Sequence, residues 1–333
     1  MTKTTWVRLR GVVLLVAFVL LASSCRSKEQ RAAAGAPPSE TTASAPAPTP
    51  TEPPVEPPKF TEAAAPDLPP YSGLSEPRGA ALDAKGRLWV ADFGDSRLRL
   101  FDAQGGYLGG WGGKGTGTHG FNNPTAVAVA GDTVYVADTW NARVQSFSLE
   151  GTPKASVSGL YGPRGVAVAP GGAVLVADTG NNRLMIYDAE LKEGRAVGSK
   201  GSGPEQFSDP VGVAVGASGA IYVADVGNRR IQILDSKGRF TGRFDFPGWT
   251  SAGEPFLANG AGDVLYVSDP SGGAVLALNR SGKVLRKWEA DDTGRKLGSP
   301  SGLALDSRKG TLYVVDKAAN TVSRLALGEA KTK

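Results

Sequence analysis

The 333-residue chain has one cysteine, one histidine and two methionines. A single cysteine can form no internal disulfide, so no cross-linked scaffold holds this protein together. The lone histidine, His119, sits in a glycine-rich loop and cannot by itself supply a multi-histidine metal centre or complete a nucleophilic triad. Long apolar spans are missing too: the run at residues 11–22, GVVLLVAFVLLA, has 12 residues, where a helix crossing a bilayer needs about 20. Charge of one sign is also scarce. The formal +5 falls to +2, with 34 basic against 32 acidic residues, once Lys3, Arg8 and Arg10 of the N-terminal leader are set aside. That balance creates no field over the whole domain, and no nucleic-acid partner is expected. What the chain does have is 45 glycines and 23 prolines, the composition of many short strands joined by turns.

Three positive charges, the short apolar run and then Leu21-Ala22-Ser23-Ser24-Cys25 make the N-terminus an address rather than a fold. The last five residues resemble the lipobox of bacterial lipoproteins, with Ala22 where leucine is commoner. The resemblance implies a signal peptide over residues 1–24 and a lipid on Cys25, which would place the protein in the cell envelope, membrane-anchored, in the periplasm or at the cell surface. Residues 25–58 are rich in Pro, Ala and Thr, and 12 of the 23 prolines fall between positions 37 and 70. Such a segment cannot bury a core and reads as a disordered, partly extended tether.

The remainder repeats. Pro77, Pro124, Pro163, Pro210, Pro255 and Pro300 are each followed, 14 to 16 residues on, by Asp92, Asp138, Asp178, Asp225, Asp269 and Asp316. A small apolar run, a glycine-bearing turn and a β-branched or aromatic run (LWVAD, VYVAD, VLVAD, IYVAD, LYVSD, LYVVD) lie between them. Further strands follow each aspartate. Four short strands per repeat of 39 to 47 residues describe the blade of a β-propeller. The segments ADFGDSRL, ADTWNARV, ADTGNNRL and ADVGNRRI, with PRGVAV and GSGPEQFSDP, resemble NHL repeats. The resemblance implies an all-β, six-bladed propeller of the NHL type over residues 59–328, with 329–333 as a C-terminal tail. The last unit supplies three strands only, so residues 59–72 are expected to lead in and close the ring, with 59–65 as the missing strand.

The aspartates pair by spacing with arginines five residues on: Asp92 with Arg97, Asp138 with Arg143, Asp178 with Arg183 and Asp225 with Arg230. Their expected role is to stabilise the turn in each blade, with the aspartate also accepting turn N–H groups. No catalytic residue, metal or cofactor is expected, and the chain is read as not an enzyme. Some NHL-like lyases use several histidines and lactonase-like propellers use carboxylates; here only Glu76, Asp209 and Glu254 precede the repeat prolines, and these read as solvated loop charges. A glycine-rich stretch at 112–120 lacks the Ser or Thr that a phosphate-binding loop needs after its lysine. Binding is the expected function. Departures from the repeat gather on the face formed by the lead-in loops and the turns between strands two and three: Arg78, Phe93, Trp140, Arg164, Trp249 and Phe256. Aromatics with arginine suit a protein or peptide partner. The chain is expected to act as a monomeric binding scaffold, with a divalent-metal hydrolase or lyase at the channel mouth as the alternative.

Overall fold

The structure is a computed structural model and describes residues 71–246, 248–250 and 253–327. The lipobox with Cys25, the tether and the segment at 59–65 lie outside the described residues.

Every repeat folds as an antiparallel sheet whose strands follow chain order. The first blade comprises Pro77–Leu82, Leu88–Asp92, Arg97–Phe101 and Tyr107–Gly112; the third comprises Pro163–Val168, Val174–Asp178, Arg183–Tyr187 and Gly194–Val197. Among the described residues there are five four-stranded blades and a sixth of three strands, Pro300–Asp306, Thr311–Asp316 and Thr321–Ala326. The innermost strands of successive blades touch around the ring, and that of blade six packs on that of blade one. The protein is thus a six-bladed, all-β propeller.

Burial explains the composition of the second strands. Leu88–Asp92, Val174–Asp178 and Ile221–Asp225 are buried at every position, because each is covered on both faces by neighbouring blades. Outer strands are wet: in Pro153–Ser158 and Val284–Trp288 most side chains are exposed. Small residues on the inner strands let the ring close tightly. A side chain at Gly165 would collide with the carbonyl of Val211 on the next blade.

Closure uses Tyr71. Its ring is 2% exposed and sits between Phe101 of blade one, at 5.6 Å, and Tyr313 of blade six, at 6.1 Å. Its N–H donates to Gly105 O, and its carbonyl accepts from Thr321 Oγ1. The outer edge of Thr321–Ala326 is partly occupied by the preceding connection: Asp292 N–H donates to Arg324 O, and Ala326 N–H donates to Asp292 Oδ1.

Candidate functional site

The lead-in loops and the turns between strands two and three share one face, and the repeat aspartates tie them together. Asp138 is fully buried. Its Oδ1 accepts the Asn122 N–H from the lead-in loop, while Oδ2 accepts Asn141 Nδ2 and Arg143 Nε, the latter at 2.7 Å. Asp178 does the same with Tyr161, Asn181 and Arg183, and Asp225 with Ser208, Asn228 and Arg230. The backbone donor therefore comes from the loop 16 or 17 residues earlier rather than from the following turn. The asparagine three residues after each aspartate is a partner that the Asp-to-Arg spacing did not reveal.

Blade one requires a correction. Asp92 pairs not with Arg97 but with Arg99, whose Nε lies 2.7 Å from Asp92 Oδ2 and whose terminal nitrogen reaches Asp95. Asp95 stands where blades two to four carry asparagine, so the turn holds two carboxylates. Arg99, two residues along the same strand, can bridge both. Arg97 Nε is buried and has no hydrogen-bond partner among the described residues.

Blade five lacks this clamp. Asp269 accepts only the Gly272 N–H among the described residues, and the lead-in is held instead by Ser268 Oγ, which accepts the Phe256 N–H. The residue before the repeat proline is left-handed in blades one to four, with φ of 46° at Glu76, 54° at Asn123, 57° at Gly162 and 50° at Asp209. Glu254 is not among these left-handed residues, and its carboxylate reaches the axis.

There Glu254 meets Arg78 of blade one in direct ion contact and Arg164 of blade three at 3.5 Å. Its side chain is 15% exposed, so the reading of Glu254 as a solvated loop charge is corrected. Arg78, 7% exposed, also lies 3.5 Å from Glu76 and stacks its guanidinium over the Phe93 ring at 4.2 Å. Burial holds the Arg78 guanidinium below its usual pKa; Glu76 opposes that shift and the Arg164 charge adds to it. Burial likewise lowers Lys317, with Arg78 contributing and Glu76 opposing. Thr125, Val211, Phe256 and Ser301, which follow the other repeat prolines, are all buried. Among the described residues no group of three or more His, Cys, Asp or Glu is placed to hold a metal ion.

The proposed binding residues divide. Trp249 is a correction: it is 1% exposed and stacks on Phe246 at 4.5 Å, filling the space between blades four and five with Val211, Val226 and Leu257. Phe256 is also buried, at 9%, so its aromatic surface belongs to the core. Phe93 is half-buried beneath Arg78. Trp140, by contrast, is 66% exposed. It forms one wall of a groove of about 560 Å³ that also takes in Arg164. Tyr161, 67% exposed, lines the same groove, and the sequence reading missed it. The same signal marked it: Tyr161 sits two residues before a repeat proline, where other units have Ser75, Asn122, Ser208, Gly253 and Gly298. Its ring lies on Gly180, where any side chain would collide with it. The groove floor is fixed by Thr139 and Thr179, whose hydroxyls donate to the Pro163 and Pro210 carbonyls of the next blades at 2.8 and 2.7 Å. Lys200 and Asp209 also line the groove.

Comparison with known proteins bears on both fold and activity. The NHL repeat family model matches residues 74–101, 121–147, 160–187 and 207–234. NHL-repeat-containing protein 4 of Homo sapiens is 39% identical over 125 residues, 36% of this chain and 97% of that protein. The E3 ubiquitin-protein ligase NHLRC1 of Rattus norvegicus is 34% identical over 127 residues, 37% of this chain; the match spans only 32% of the ligase. Among solved structures, a catalytically inactive virginiamycin B lyase from Staphylococcus aureus with quinupristin superposes with a TM-score of 0.55 at 16% identity, covering 78% of this chain and 88% of that one. These comparisons overturn the expectation that the chain is not an enzyme, since both the repeat and the fold occur in proteins named as enzymes. Four matched repeats, and a relative covered almost end to end at 39% identity, show that the chain belongs to the NHL-repeat family.

Proposed function

We propose that this propeller is a protein-binding module of the cell envelope, recognising its partner in the groove between Trp140 and Tyr161. One observation carries the reading: two large aromatic side chains, each at a position where the other repeats hold a smaller residue, stand exposed in the lining of the same groove. Exposed aromatics are unfavourable in water and concentrate binding energy when covered. The floor below them is tied across blades two to four, so the walls are preorganised and little ordering is needed on binding. The anchoring half of the proposal rests on the sequence alone. A short apolar run leads to the only cysteine, and a proline-rich stretch follows that would hold the propeller away from a lipid surface.

The test uses a partner captured from an envelope fraction and its affinity measured with purified variants. Trp140→Ala and Tyr161→Ala should each weaken binding about thirtyfold, the scale of a 2 kcal/mol hot spot, with melting temperature unchanged. Lys85→Ala and Arg308→Ala, in turns on the opposite face, should leave it unaltered. The reverse pattern would overturn the assignment.

A further inference from the structure

Arg164 belongs to both the groove and the axial ion cluster. Its side chain is 35% exposed, and its ion contact, with Glu254, is long at 3.5 Å. No hydrogen bond from its guanidinium is formed among the described residues, so its N–H groups are open toward the groove. Behind it, Arg78 is 93% buried, with an Nε that has no hydrogen-bond partner among the described residues. Arg78, Arg164 and Lys317 face two carboxylates, Glu76 and Glu254, and Lys200 balances Asp209 in the lining of the groove, which leaves one positive charge uncompensated.

Resting on the groove reading above, we infer that the inner end of the groove is a carboxylate-recognition site, where Arg164 receives an acidic side chain of the partner protein. Glu254 already shows that this pair of arginines accommodates a carboxylate; its contact with Arg78 is the close one and its contact with Arg164 the loose one. A guanidinium fork offers two parallel N–H donors to an incoming carboxylate, and partial burial strengthens the bond. The aromatic walls then take the apolar neighbours of that acidic residue, with proline suited to lie against Trp140 and Tyr161. One excess charge matches one carboxylate. A nucleic-acid backbone fits less well, because its successive phosphates would meet Glu76, Glu254 and Asp209 around the same opening.

Two pools of capped pentapeptides, identical except for a central Glu or Gln flanked by Pro, Leu or Tyr, are bound to the full chain by equilibrium dialysis. The Glu pool should bind about tenfold tighter than the Gln pool. Arg164→Gln should erase that difference by bringing Glu-pool binding down to the Gln-pool level, and Glu254→Gln, by removing the competing carboxylate, should widen it. Equal binding of both pools to the wild-type chain would overturn the carboxylate site and leave the groove standing. Binding of neither would overturn both, and tighter binding of an octathymidylate than of the Glu pool would assign the arginines to nucleic acid instead.

Discussion

Asp225 is fully buried and accepts hydrogen bonds from the Ser208 N–H, Asn228 Nδ2, Arg230 Nε and Gln232 Nε2. Arg230, itself 3% exposed, directs three of its other donors to the Ser202, Gly203 and Gln206 carbonyls. Removing the carboxylate would strand a buried guanidinium, so Asp225→Ala should cost about 3–5 kcal/mol. Asp269→Ala should cost less than about 1 kcal/mol, since among the described residues that carboxylate has no arginine partner. Denaturant unfolding of both variants checks the contrast, and equal losses would show that the clamp is not what stabilises the blade. Spacing made the Asp–Arg pairs legible in blades two to four. It failed in blade one because the partner depends on a second charge, Asp95, that only the folded turn brings near. Departures from the repeat marked Trp140 and Trp249 alike. A residue unlike its counterparts can serve a surface or fill an irregular gap, and the contacts of Trp249 with Phe246 are what separate the two.

At the scale of elements, the sixth blade is the weak point, since among the described residues it has three strands and the edge of its third must be covered. Tyr71 bridges its middle strand to blade one. Tyr71→Ala should therefore lower stability by about 3–5 kcal/mol, as for other large buried rings. Deleting residues 26–55 should leave the melting temperature nearly unchanged, whereas deletion through Tyr71 should lower it clearly. Identical melting of the two truncations would place closure elsewhere. The three described strands of blade six were readable from the repeat pattern that follows Pro300. The role of Tyr71 was not, because a single aromatic ahead of the first repeat carries no periodicity. Blades five and six are fainter in sequence because Ala274 and Thr321 replace the arginine, yet they fold alike: in blade five Ser268 holds the lead-in, and Asp316 accepts both the Gly298 and Ser299 N–H groups in blade six.

For the whole molecule, a rigid ring would carry the proposed recognition face on one side and hang from the proposed anchor at Cys25. Cys25→Ser should abolish fatty-acid labelling and move the protein from the membrane fraction to the soluble one; unchanged labelling would end the lipid-anchor proposal. The recognition face is the central claim, and site-specific photo-crosslinking in intact cells tests it most directly. A benzoylphenylalanine placed at Tyr161 should capture a discrete protein partner, and one at Lys85 on the opposite face should not. Capture from position 85 with none from position 161 would contradict the assignment of the working face.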